Sequence, residues 1–350
     1  MIDVNPLATD LDHVLAHTTG LWEELRGQRI FITGGTGFFG CWLLESFAWA
    51  NDKLGLNASA LVLTRNVESF RKKAPHLASH PAIQFQTGDI CSFEFPKGNF
   101  SHIIHAATEA SAKLIEENPL LMFDTIVEGT RRTLEFARHS GVKKFLLASS
   151  GAVYGWQPSE LTHIPEEYGG GPDPTGPQWA YGEGKRAAEM LCTLYAKQHG
   201  LEPKIARCFA FVGPYLPLDI HFAIGNFIRD SLAGVAIRIN GDGTPVRSYL
   251  YAADLAVWLW TILFLGQPCR PYNVGSETDL TIQEIARAVA VATRPAVTVL
   301  AAREPVPGKP AERYIPATQR AQIELGLKEH FGLAESIQRT LQWHLRNTND

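Results

Sequence analysis

From Arg29 onward, short apolar runs alternate with longer stretches in which apolar residues recur at helical spacing. The runs at 30–32 (Ile-Phe-Ile), 60–63 (Ala-Leu-Val-Leu), 83–85 (Ile-Gln-Phe), 102–105 (His-Ile-Ile-His) and 145–148 (Phe-Leu-Leu-Ala) read as strands. Segments 38–50, 119–139 and 179–199 read as helices. Strands that are apolar on both faces, with helices between them, predict a parallel sheet covered on both sides. The fold class expected is therefore α/β, a doubly wound parallel sheet with a smaller C-terminal substrate-binding lobe.

Beyond Arg207 the rhythm fades. Loops carrying Pro214, Pro217, Gly241 and Gly243 alternate with helices expected at 222–232, 252–264 and 282–291. The chain divides into an extension at 1–28, a sheet domain at 29–206, and a lobe at 207–350, some segments of which return to the sheet domain. In the extension Leu11, Val14, Leu15, Leu21, Trp22 and Leu25 predict one or two helices packed on the main body, with no chemistry assigned. The strongest loop signal is Gly169-Gly170-Gly171-Pro172-Asp173-Pro174.

Composition adds mainly exclusions. A 350-residue chain with 45 % hydrophobic and 19 % charged residues is ordinary globular material. A net charge of -4 offers nucleic acid or an anionic membrane no basic face, and neither is expected as a partner. Cys41, Cys91, Cys192, Cys208 and Cys269 are scattered and never spaced as CxxC, so neither disulfides nor a metal site is expected and a reducing, cytoplasmic setting is. The apolar window 255–265 is too short to span a bilayer and reads as a buried helix.

Thr33-Gly34-Gly35-Thr36-Gly37-Phe38-Phe39-Gly40 follows the first strand and opens the first helix. Gly34 suits a tight turn, Gly37 a close approach by pyrophosphate, and Gly40 close helix–strand packing. The first helical turn, with Phe38 and Phe39, then aims free N–H groups at the phosphates. This is a Rossmann-like dinucleotide site for NAD or NADP. At the end of the second strand, where an acidic residue would read the ribose 2′-OH, the chain has Thr64-Arg65-Asn66, and Arg65 tilts the choice towards the 2′-phosphate of NADP. Asp89, in Gly88-Asp89-Ile90, is placed for the adenine amine or simply for a turn.

Tyr181 and Lys185 stand four apart on a predicted helix and so share a face. A phenol titrating near about 10 is a poor base at neutral pH unless a neighbouring ammonium stabilises the phenolate. Ser150 ends the fifth strand, at the edge where ligands bind in doubly wound sheets, and is placed to donate to the reacting oxygen.

With TGGTGFFG, GDI, HAAT, SSGAVYG, YGEGK and the later GDGTPVRSYLYAADLA in view, the chain resembles the extended short-chain dehydrogenase/reductases of the nucleotide-sugar epimerase/dehydratase family, from about residue 28 to 343. The resemblance implies that Ser150 and Tyr181 bind and deprotonate a sugar hydroxyl while Lys185 tunes Tyr181 and holds the nicotinamide ribose. It implies that Gly34, Gly37, Phe38, Phe39, Gly40, Arg65, Asp89, Ile90, Ala106, Ala107, Thr108 and Ser149 line the cofactor. Arg247 and Arg313 resemble the arginines that hold the nucleotide diphosphate, and Asn226 borders the nucleobase. A homodimer, formed through the helix around Ala187 and Ala188, is expected.

Departures narrow the expectation. Sugar 4,6-dehydratases carry an Asp-Glu pair where this chain has Gly151-Ala152, and decarboxylating relatives commonly carry Glu at the position of Ala152. Neither residue can exchange a proton. Ala210, Ile126 and Gly184 replace an Asn, an Asn and a Ser usual in the family. The function expected is C4 epimerisation of a nucleotide sugar through a transient keto sugar. NADPH-dependent reduction of a 4-keto sugar comes next. A dehydratase using Glu183 as its acid/base, and a non-catalytic NAD(P) sensor or scaffold, follow.

Overall fold

The computed structural model describes residues 5–108, 112–220 and 222–347. Seven strands, β1 (Arg29–Thr33), β2 (Ser59–Thr64), β3 (Ile83–Thr87), β4 (His102–His105), β5 (Lys144–Ser150), β6 (Glu202–Cys208) and β7 (Pro271–Val274), form one parallel sheet in the order 7-6-5-4-1-2-3. The chain runs outward from β1 to β3, then crosses back to lay β4 beside β1. That reversal opens a crevice beyond the carboxyl ends of β1 and β4, where Thr33 pairs with His105.

The strands form where the sequence is apolar on both sides. Ile30, Phe31 and Ile32 of β1 and Phe145, Leu146 and Leu147 of β5 are all fully buried. Helices Pro119–Ser140 and Ala180–His199 pack together on one face of the sheet, covering Phe31, Ile103 and Phe145. Helices Phe38–Leu54 and Ala252–Leu265 cover the other. The apolar window is thus a buried helix, as expected, with every residue from Ala252 to Phe264 buried. It belongs to the sheet domain's core, although the sequence order puts it beyond residue 207.

The extension folds as helix Ala8–His17 and a short 3-10 helix, Leu21–Leu25. Leu7, Leu11, Val14, Trp22 and Leu25 join the core, and the Trp22 ring lies 4.7 Å from that of Trp260. The C-terminal lobe has its own core, including Ile224, Phe227, Ile285, Val289, Ile337 and Leu341. A small sheet of Leu280–Thr281, Val246–Arg247 and Arg313–Tyr314 faces back towards β5. All five cysteines are free thiols, and among the described residues no helix is long and apolar enough to cross a membrane.

Candidate active site

The glycine turn has the shape a dinucleotide needs. Gly34 adopts φ +72°, and a Cβ there would fall 2.5 Å from the Ala106 carbonyl and the Ala107 nitrogen, so the turn lies directly against the loop after β4. A Cβ on Gly40 would overlap the backbone of Gly34 and Gly35. Gly37 differs: a Cβ there would meet only the Gly34 carbonyl, at 3.4 Å, so its outer side is open to a ligand. Gly37 also caps helix Phe38–Leu54 without any side-chain hydrogen bond, leaving the helix dipole and its first N–H groups aimed into the crevice. These residues fit the pyrophosphate of NAD(P).

At the end of β5, the Ser150 Oγ accepts a 3.1 Å bond from the Ala152 N–H, which leaves its own O–H to donate outward. The Ser150 hydroxyl lies near those of Tyr181 and Tyr314, and its proximity favours the ionised form of both phenols. Burial pushes the Tyr181 phenol up to about 12, against the lowering effect of Ser150. Lys185, one turn on, is buried; its Nζ donates 2.8 Å to the Ala148 carbonyl and lies 5.9 Å from the Tyr181 ring. Burial draws its ammonium down to about 8, with Glu189 on the same helix opposing. A phenol slow to ionise and an ammonium readier than usual to give up its proton therefore share a dry face.

A polar network fixes this face from behind. Ser149 donates 2.6 Å to Glu189, whose carboxylate takes a forked contact from Arg207, the shortest at 2.7 Å. Arg207 reaches the Tyr154 hydroxyl at 2.9 Å, and that hydroxyl donates 2.8 Å to Asn273 on β7. Tyr154 thus links Arg207 to β7. His105 is buried between Thr33 (2.8 Å) and Thr130 (3.0 Å), and burial, aided by the Lys185 charge, holds its imidazole down to about 3. It is a neutral packing residue beside the crevice.

Ala106, Ala107 and Thr108 follow β4 along the same crevice, and Arg65 stands exposed just past β2. Asp89 closes a turn, accepting 2.9 Å from the Cys91 N–H, and Ile90 packs into the gap left by Gly129. The Ser149 hydroxyl proton is committed to Glu189, so its oxygen can meet a ligand only as an acceptor. Arg247 and Arg313, 66 positions apart, come together in the small sheet, where Val246 pairs with Arg313 and Arg247 with Tyr314. Arg247 is held by Glu312 at 2.5 Å and Arg313 by Asp279 at 2.9 Å. Asn226 lines a cavity of about 550 Å³ with Asn240, Arg238 and Pro245. Ala188 is fully buried, so the exposed apolar face on that helix is formed by Met190 and Leu194 instead. The residue the sequence reading missed is Tyr314. Its ring lies 4.7 Å from that of Phe209, and its only sequence signal was the neighbouring Arg313.

The model of the NAD dependent epimerase/dehydratase family matches residues 30–275. The chain is 30 % identical to UDP-glucuronic acid decarboxylase 1 of Danio rerio over 327 residues, 93 % of this chain and 74 % of that protein. It is 32 % identical to UDP-glucuronic acid decarboxylase 3 of Arabidopsis thaliana over 311 residues, 89 % and 87 % of the two chains. Among solved structures, a UDP-glucose 4-epimerase from Thermotoga maritima with UDP-glucose superposes with TM-score 0.75 at 25 % identity, covering 92 % of this chain and all of that one. A dTDP-glucose 4,6-dehydratase from Streptomyces venezuelae with NAD bound shares the fold at TM-score 0.75 and 23 % identity, over 92 % and 98 %.

Proposed function

The chain belongs to the NAD-dependent epimerase/dehydratase family, and within it we propose that this protein is a nucleotide-sugar epimerase acting at C4. Tyr181 takes the proton of the sugar hydroxyl, Ser150 donates to the same oxygen, and Lys185 stabilises the phenolate. NAD(P), when bound, supplies hydride exchange at the sugar carbon. Rotation of the resulting keto sugar presents its other face, and Tyr181 returns the proton. Arg247 and Arg313 would pair with the diphosphate, exchanging part of their contact with Glu312 and Asp279, and the cavity at Asn226 would take the nucleobase. Exposed Met190 and Leu194 support a homodimer.

Gly151 carries the choice of reaction. A Cβ there would stand 2.7 Å from the Tyr314 hydroxyl and 2.8 Å from the Phe209 ring. The dehydratase aspartate therefore has no room, and Ala152 lacks the carboxyl group that decarboxylating relatives commonly use. Hydride and hydroxyl-proton transfer remain. Arg65 favours a second reading, NADPH-dependent reduction of a 4-keto sugar.

The test is to identify the cofactor released from purified protein and to assay UDP-, dTDP-, CDP- and GDP-sugars, UDP-glucuronate included, in deuterated water. Inversion without solvent deuterium and without added cofactor supports the epimerase. Turnover only with added NADPH supports the reductase. Loss of water with ring or methyl deuterium, or release of carbon dioxide, overturns the argument from Gly151 and Ala152.

A further inference from the structure

Away from the crevice, three histidines from the two ends of the chain converge. His13 and His17 are one turn apart on helix Ala8–His17, so they share a face, and His330 arrives just before helix Leu333–Asn347. One ring nitrogen from each lies within 4.8 Å of the other two. The ring centroids are 4.1 Å apart for His13–His17 and His17–His330, and 4.9 Å for His13–His330.

Each ring has one nitrogen engaged by an acceptor. His13 Nε2 lies 3.3 Å and His330 Nδ1 3.0 Å from the same oxygen of Asp254, while His17 Nδ1 lies 2.9 Å from the His13 carbonyl. Asp254 is fully buried, and its other oxygen accepts from the N–H groups of His330 (2.7 Å) and Phe331 (3.3 Å). The carboxylate is thus immobilised, and it orients two imidazoles at once. With the proton on each engaged nitrogen, the second nitrogen of each ring offers a lone pair. Metal-binding histidines are oriented in this way, the outer nitrogen donating to a carboxylate or a backbone carbonyl.

We infer that His13, His17 and His330, oriented by Asp254, bind one divalent transition-metal ion of the zinc class. Three neutral imidazoles without a thiolate select zinc, copper, nickel or cobalt over magnesium or calcium. Zinc–nitrogen bonds of about 2.0–2.1 Å need the nitrogens closer than they now stand. A small adjustment of the side chains, chiefly of exposed His17, would close that gap, and water would complete the tetrahedron. The ion ties the N-terminal extension to the C-terminal segment across helix Ala252–Leu265, a structural clasp that takes no part in the chemistry at Tyr181. The scattered cysteines gave no hint of it, because the ligands are imidazoles and the third comes from more than 300 residues away.

The experiment uses chelator-treated protein freed of any affinity tag, titrated with zinc chloride by calorimetry at neutral pH, with thermal melts alongside. One equivalent should bind, at least tenfold more weakly in H17A and in H330A and not at all in the double variant. Zinc should raise the Tm of the parent but not of the double variant, while circular dichroism shows the zinc-free variants folded. Undiminished zinc binding in the double variant, or no binding to the parent at micromolar zinc, overturns the site.

Discussion

Ile126 on helix Pro119–Ser140 fills the space that a side chain at Gly184 on helix Ala180–His199 would occupy: a Cβ on Gly184 would come within 3.2 Å of its Cδ1 and 3.3 Å of its Cβ. The family resemblance leads to an expected Asn and Ser at these two positions; here the helices press on each other beside Lys185, so bulk added at one meets the other.

Gly184→Ser should therefore cost stability. A helical glycine replaced by a better helix former gains up to about 1 kcal/mol, but overpacking a buried contact costs about 1–3 kcal/mol. In an Ile126→Ala background the same change should be neutral or stabilising. Urea unfolding of the two single variants and the double variant would show a coupling of about 1 kcal/mol or more; simple additivity would refute the pairing.

Tyr181→Phe removes the only group proposed to move the hydroxyl proton. Turnover should fall by about 10²–10⁴-fold with the cofactor still bound, since the glycine turn is untouched. Near-normal kcat would put the acid/base elsewhere. Tyr314→Phe, which keeps the ring against Phe209 but removes the hydroxyl from Ser150, should lower kcat without abolishing it.

Acid should destabilise the fold in part through His105. Its folded-state imidazole titrates at about 3, below the ordinary value of 6.5, so between these limits the unfolded chain holds the extra proton. Its contribution is fully present above pH 6.5 and is lost as pH falls towards 3, at up to about 1.4 kcal/mol per pH unit. Urea midpoints of the parent should fall more steeply across that window than those of His105→Gln; parallel curves would rule this out.

Glu189→Gln should be costly although it lies outside the proton-transfer step. It leaves the Arg207 guanidinium, only 15 % exposed, without its counter-charge, and stability should drop by about 3 kcal/mol. Lys185 would also lose the charge that favours its ammonium, so the pH profile of kcat should shift as well. A stability loss with an unmoved profile would restrict Glu189 to a packing role.

Arg247→Lys and Arg313→Lys keep the charge but lose the planar fork. Each should raise KM for the nucleotide sugar about tenfold or more with little change in kcat. Competition by free nucleoside diphosphate should weaken in parallel; an unchanged KM would remove that arginine from the site.

The features the sequence determined by itself are local. The apolar runs of β1, β2, β4 and β5, the glycine turn and the Tyr181–Lys185 face each lie within a few residues of one another, where backbone sterics and a 3.6-residue period dictate the outcome. Tertiary structure alone brought Tyr314 to Ser150, β7 into the sheet, Ile126 against Gly184, and His330 to His13. Those approaches depend on the path the chain takes between distant segments, and on which side chain fills a given space in a close-packed interior. No periodicity records either, so only the folded chain shows that the helix expected in the lobe belongs to the sheet domain's core, and that the extension meets the far end of the chain.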